Sequence, residues 1–406
     1  MLRKIPASKA RPGMFVQKLG GSWLEHPFWR ASFLLEDADD VKKILGAGIH
    51  DLWIDTDRGL DFVEIQLPVA GPVAAEADLD LVLAGSDDTK PLSGQSELQA
   101  ELGRARELYE SFRPKIRAMF AEARLGRAID PEVTKILVDE VATSIHRNPW
   151  ALISVARFKT SDEYTYMHSV SVCALMVALA RQMKLSSEQV RQAGTAGLLH
   201  DIGKMRIASE ILNKPGKLTA HEFEIVKSHP RHGWDMLRQM PGIDEVALDV
   251  CLHHHEKIDG TGYPDGLSGD AISLYARMGA VCDIYDAVTS NRPYKQGWTP
   301  AEALRNMARW TDSHLDANVF GVFVKSLGIY PIGSLVRLQS GRLGVVIEQS
   351  ERSLLTPRVR TFFSTSSRVY VQPEVVDLAR PGCQDRITSP ESPERWGIAD
   401  VEKYWQ

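Results

Sequence analysis

Cysteine is scarce and scattered in this chain. The four thiols, Cys173, Cys251, Cys282 and Cys383, include no pair spaced two residues apart, which argues against a disulfide framework or a cysteine-ligated zinc and for buried reduced thiols. Long apolar runs are missing as well. No stretch approaches the roughly 18 residues of a membrane span, and MLRKIPASKARPGMFVQKL lacks the apolar core of a signal peptide. A cytoplasmic protein with no membrane partner is expected. Nor is charge of one sign in excess: 48 Lys and Arg against 53 Asp and Glu give a formal net charge of -5. Such a balance does not fit a nucleic-acid polymer as partner, so an anionic substrate must be held by local positive charge.

The 406 residues present divide by composition. Residues 1–68 carry short β-rich runs (GMFVQKL, HDLWIDT) and one helical pattern, DADDVKKILGAG, and read as a small α+β unit. Its aromatic stretch SWLEHPFWRASFLL suits either a small core or a ligand surface. Residues 69–95, rich in Ala, Gly, Pro, Ser and acids, read as a flexible linker. Helical patterns then run almost unbroken: connecting helices over 96–149, with Pro114, Pro131 and Pro149 at starts or kinks, and a larger helical domain over 150–328. Residues 329–406 form a β-rich extension, with a hairpin around Ser340 and Gly341, and end in a loosely held tail containing ITSPESPERW. The fold class is mainly α, with a small N-terminal α+β domain and a small β-rich C-terminal extension.

Histidine is where the chain concentrates its chemistry. Eight of its twelve histidines fall between His168 and His255, accompanied by Asp201 and Asp283. His168 shares a helix face with Val172, Leu175 and Leu179, and His200 ends a stripe of Val190, Ala193 and Gly197, so both imidazoles point to the core. Gly203 is expected to end the helix just after Asp201. Asp283 shares a stripe with Ala276, Gly279, Ala280 and Ala287, where an unpaired carboxylate is costly unless a metal or an arginine such as Arg277 meets it. Imidazoles and carboxylates together suit iron, manganese, zinc or nickel. More candidate ligands are present than one ion needs. Two ions sharing a bridging carboxylate would use them, an arrangement that generates a hydroxide and clamps a phosphoryl group.

The motifs YTYMHSVSV, LLHDIGKMRI, HPRHGWDML, HHHEKIDGTGYPDGL and DIYDAVTSNRPYK, taken together and in this order, resemble the HD-GYP family of metal-dependent cyclic di-GMP phosphodiesterases, over roughly residues 150–328. The resemblance implies a helical HD-GYP bundle preceded by a domain of unknown function. It also implies two divalent metals, iron or manganese foremost and zinc, nickel or magnesium as alternatives. His168, His200 and Asp283 would serve one metal and His229, His254 and His255 the other, with Asp201 bridging. His253 and His232 would stand outside the ligand set. Gly262, Tyr263 and Pro264 would shape the substrate cleft, Lys204 would reach a phosphate and assist catalysis, and Arg292 and Lys295 would contact the other phosphate. A third metal, held in some relatives one turn before the first histidine, would need Glu163 or Asp162 here, since that position is Tyr164.

The reaction so implied is hydrolysis of cyclic di-GMP by a metal-bridging hydroxide, to linear pGpG and onward to GMP. Two other readings remain: an HD phosphohydrolase acting on a different nucleotide, and a receptor that binds cyclic di-GMP without hydrolysing it. Homodimerisation, and partners such as diguanylate cyclases or other signalling proteins, are left open.

Overall fold

The computed structural model describes residues 2–7, 10, 13–19, 32–35, 40–41, 43–44, 49, 51–59, 98–156, 164–214, 216, 218–290, 297–311, 313–350, 353–398 and 400–405. Two compact units emerge, Met1–Ala70 and Gly71–Gln406.

In the first unit, β1 (Leu2–Pro6), β2 (Phe15–Leu19), β3 (Phe33–Leu34) and β4 (Asp51–Asp55) form an antiparallel sheet in the order β1-β4-β2-β3. Alternation decides its inner face. Ile5, Val16, Leu52 and Ile54 are buried, whereas Lys4 is exposed. Both expected strands are present, and Asp40, Val41, Lys43 and Ile44 of the expected helical segment are helical. Most of the aromatic stretch, and the linker, lie outside the described residues.

The second unit is built on helices: α1 (Leu98–Arg124), α2 (Pro131–Arg147), α3 (Pro149–Ala156), α4 (Tyr164–Gln182), α5 (Ser187–Leu199), α6 (Ala220–Lys227), α7 (His229–Leu237), α8 (Glu245–His253), α9 (Leu274–Thr289), α10 (Pro300–Ala308) and α11 (Ala317–Leu327). Pro131 and Pro149 open α2 and α3, where a missing N–H costs nothing, whereas Pro114 sits inside α1. Side-chain caps fix the helix starts around the site. Ser186 with Gln189, and Thr219 with Glu222, close reciprocal capping boxes at α5 and α6, and Ser273 caps α9.

Small residues set the helix spacings. A Cβ on Gly197 would stand 3.0 Å from the Cys173 backbone, so α5 lies directly against α4 and brings His200 beside His168. Gly203 does not end α5. It lies within a 3-10 turn, Ile202–Arg206, where an added Cβ would meet the His229 carbonyl oxygen at 1.9 Å and the Gly233 nitrogen at 2.4 Å. That close approach docks the start of α7 onto Asp201.

The C-terminal sheet, ordered β8-β7-β6-β5-β9, comprises β5 (Leu335–Leu338), β6 (Arg342–Glu348), β7 (Arg358–Ser364), β8 (Val369–Asp377) and β9 (Ile387–Pro390). It shares one buried core with the helices, a core that includes Val141, Phe323, Val336 and Phe362. The expectation of a loose tail is corrected. Ile387–Pro390 pairs with β5, a helical turn follows at Pro393–Trp396, Tyr404 stacks on Phe362 with centroids 3.8 Å apart, and Trp405 is buried. Proline, serine and glutamate dominate the composition there, but a few aromatic anchors bury enough surface to hold it. Among the described residues no helix is long and apolar enough to cross a membrane.

Candidate metal centre

Seven side chains drawn from α4, the end of α5, the start of α7, the end of α8 and α9 converge in two adjacent groups of potential ligands. Asp201, His229, His254 and His255 form one, and His168, His200 and Asp283 the other, with donor atoms in each group within 4.8 Å of one another. Asp201 stands between them. Its Oδ2 is 3.5 Å from His168 Nε2 and 3.3 Å from His200 Nε2, while its Oδ1 is 3.2 Å from His229 Nε2 and 3.8 Å from His254 Nε2. Asp283 Oδ1 lies 2.9 Å from His168 Nε2 and 3.8 Å from His200 Nε2, and its Oδ2 is 3.9 Å from His255 Nδ1. Arg277 is not the partner of Asp283, since it pairs with Asp316 at 2.8 Å.

Four of the five imidazoles are aimed from behind. The Nδ1 atoms of His200, His229 and His254 lie 2.8, 2.7 and 2.9 Å from the carbonyl oxygens of Gly197, Val226 and Val250, which places N–H on Nδ1 and turns each Nε2 inward. His168 uses a carboxylate for the same purpose, with Nδ1 2.6 Å from Asp286 Oδ2. Reading the sequence missed Asp286. Its signal is a second aspartate one turn after Asp283 on the same helix, and burial turns that into a functional placement.

Burial disfavours charge throughout the cluster, so neighbours decide each protonation state. Burial works against the Asp201 carboxylate, yet Lys204 and His200 hold its pKa well below the usual value, and His168 and His200 do the same for Asp283. For His200, burial is outweighed by Asp201 and Asp283, which lift the imidazole to about 10. Burial and the surrounding imidazoles push His254 well down, and burial with His229 takes His255 to about 3 although a quarter of its side chain stays exposed. Both stay neutral near pH 7, the form that donates a lone pair.

Two further observations fit divalent metals. His200 Nε2 and Asp201 Oδ1 are fully buried and make no hydrogen bond, so each has a coordination position to offer an ion. The donor set, five imidazoles and two carboxylates with no thiolate, suits iron, manganese or zinc.

The loop after α8 closes one side. Gly260 and Gly266 adopt φ of +78° and +67°, and a Cβ on Gly262 would stand 2.4 Å from the Lys257 nitrogen, so glycine is required for the tight fold-back. Buried Glu256, to which sequence reading gave no role, accepts hydrogen bonds from the backbone N–H groups of Asp265, Gly266 and Leu267. Tyr263 stacks on His255 at 4.8 Å, and the bond joining it to Pro264 is cis. His253 stands outside both groups, between Asp249 at 2.8 Å and Asp265 at 3.2 Å, and His232 lies 3.4 Å from Ser228 Oγ. Lys204 pairs with Asp201 Oδ2 at the edge of the cluster. Arg292, Lys295, Asp162 and Glu163 lie outside the described residues.

Comparison with known proteins settles the family. An HD-domain model matches residues 147–319, and a model of a domain of unknown function, DUF3391, matches residues 2–134, well past the boundary at 68 suggested by composition. Over 406 residues, covering all of this chain and 96% of the relative, the sequence is 52% identical to a Pseudomonas aeruginosa protein named cyclic di-GMP phosphodiesterase. The chain belongs to the HD-GYP family. Another relative, a response regulator of Xanthomonas campestris named cyclic di-GMP phosphodiesterase, is 48% identical over 127 residues, 31% of this chain and 34% of that protein. A Vibrio cholerae protein named 3′3′-cGAMP-specific phosphodiesterase 1 is 36% identical over 166 residues, 41% of this chain and 38% of that protein.

Proposed function

We propose that the protein is a metal-dependent phosphodiesterase that hydrolyses cyclic di-GMP to pGpG and, in a second round, to GMP. The observation that carries this reading is the placement of Asp201, one oxygen toward His168 and His200 and the other toward His229 and His254, at the centre of a chain 52% identical throughout to a named cyclic di-GMP phosphodiesterase. In it, His168, His200 and Asp283 would hold one divalent ion and His229, His254 and His255 the second, with Asp201 available to both. Bound metals supply Lewis acidity toward phosphoryl oxygens and lower the pKa of water.

The chain's own groups do the rest. Asp286 and the carbonyls of Gly197, Val226 and Val250 keep four imidazoles aimed, so little reorganisation is needed at the moment of reaction. Lys204 offers a cation to a phosphoryl oxygen beside Asp201, and Arg292 and Lys295 contact the second phosphate. Gly262, Tyr263 and Pro264 form the wall against which the substrate is placed. Iron or manganese would fill the two sites first, with zinc, nickel or magnesium as the alternatives that the donor set allows.

The purified chain, reconstituted anaerobically with ferrous iron or manganese, should convert cyclic di-GMP to pGpG and GMP on chromatographic analysis. Binding of cyclic di-GMP without product would favour the receptor reading. The likeness to a relative named for 3′3′-cGAMP makes that dinucleotide the second substrate to try. Turnover of it alone would move the specificity and keep the chemistry.

A further inference from the structure

Phe223, on the exposed side of α6, keeps 49% of its surface in water. One exposed phenyl ring is ordinary by itself, but this one heads a row of contacts that ends in the metal centre. Lys227, one turn later on the same helix face, has Nζ 5.6 Å from the Phe223 ring centroid and 5.8 Å from that of Tyr263. Tyr263 in turn stacks on His255, with centroids 4.8 Å apart and planes 30° from parallel. The row is anchored at its inner end, since His229 Nδ1 bonds the Val226 carbonyl in the last turn of α6. Lys227 also pairs with Glu224 at 2.7 Å, which occupies one of the three ammonium donors.

A cyclic dinucleotide whose phosphate lies at the metals must place its bases away from them, and purine rings need flat apolar faces. We propose that Phe223 and Lys227 form the seat for one guanine of the substrate, Phe223 stacking on the base and Lys227 donating to its O6 and N7. This rests on cyclic di-GMP being the substrate. Guanine offers two acceptors on that edge, which suits an ammonium, whereas adenine replaces O6 with an N6 amino donor. The seat therefore selects guanine as well as binding it. Stacking of a base on an aromatic side chain is worth about 5- to 150-fold in affinity.

The test uses the full-length, metal-loaded protein. In Phe223→Ala, KM for cyclic di-GMP should rise about tenfold while kcat changes less than about twofold, and Phe223→Trp should restore KM. In Lys227→Met, which keeps the stem and removes the charge, the preference for cyclic di-GMP over cyclic di-AMP, measured as KM against inhibition constant, should fall by about tenfold. An unchanged KM in Phe223→Ala, or an unchanged preference in Lys227→Met, alongside normal wild-type turnover, overturns the seat and leaves the substrate assignment intact. A wild-type chain that turns over another nucleotide but not cyclic di-GMP overturns both.

Discussion

His168 Nδ1 and Asp286 Oδ2 meet at 2.6 Å in the buried space between α4 and α9. The carboxylate fixes which nitrogen of His168 carries hydrogen and raises the basicity of the other, so Asp286 would act on a bound metal through an imidazole. Asp286→Asn should weaken metal binding by about 10- to 100-fold, with activity recovered at high metal concentration. Metal titration followed by turnover measures both, and metal affinity equal to wild type would contradict the role.

Glu256 holds the loop over the site through three backbone N–H groups, of Asp265, Gly266 and Leu267. Glu256→Ala leaves those donors without their partner at a cost of about 1–3 kcal/mol. The expected outcome is faster amide exchange at these residues and a higher KM, as Tyr263 loses its fixed position against His255. Unaltered exchange would show that the loop is held by other means.

Gly203→Ala drives a methyl group into the His229 carbonyl and the Gly233 nitrogen, both backbone atoms that cannot rotate away. Overpacking of this kind costs about 1–3 kcal/mol, here with displacement of His229 as well. A lower midpoint of urea unfolding together with weaker metal retention is expected. Stability and retention like those of the wild type would refute the packing account.

Metal loading should carry a proton signature. His200 is held at about 10, above its ordinary 6.5, so near pH 7.5 its Nε2 must give up a proton before it can ligate. His255, pushed to about 3, is already neutral there. Loading should therefore release about one proton, and apparent affinity should rise about tenfold per pH unit until the pH nears that of His200. For the metal-free fold the signs differ by residue. The raised His200 stabilises below pH 6.5 and loses that contribution as pH climbs through about 10, whereas the depressed His255 favours the fold above pH 6.5 and costs stability as pH falls toward about 3. Calorimetry in buffers of different ionisation enthalpy reads the proton count, and no net release would contradict the assignment.

How much of this was legible beforehand depended on range. The small-residue stripe of α5 and the paired His200 and Asp201 were legible because helical periodicity is a local property that fixes which side chains share a face. The grouping of the seven site residues comes from motif resemblance, and the structure brings their side chains together in two adjacent groups. Asp286 was not legible, because its partner His168 lies on another helix 118 residues away and nothing local separates it from a solvated aspartate. Gly203 looks like a helix terminator in the sequence, since a glycine after a helix fits a C-cap as well as it fits close backbone contact. The tail misled through composition: proline, serine and glutamate outnumber the anchors, yet Trp405 and Tyr404 fix its end.

The central claim is a pair of metals sharing Asp201, and the most direct measurement is metal content and cyclic di-GMP turnover on the same sample, for the wild-type chain and Asp201→Ala. The account predicts about two metals per wild-type chain with pGpG and GMP as products, and in the variant loss of turnover with loss of most of the bound metal. Full activity in Asp201→Ala, or turnover by a wild-type chain free of metal, would contradict it.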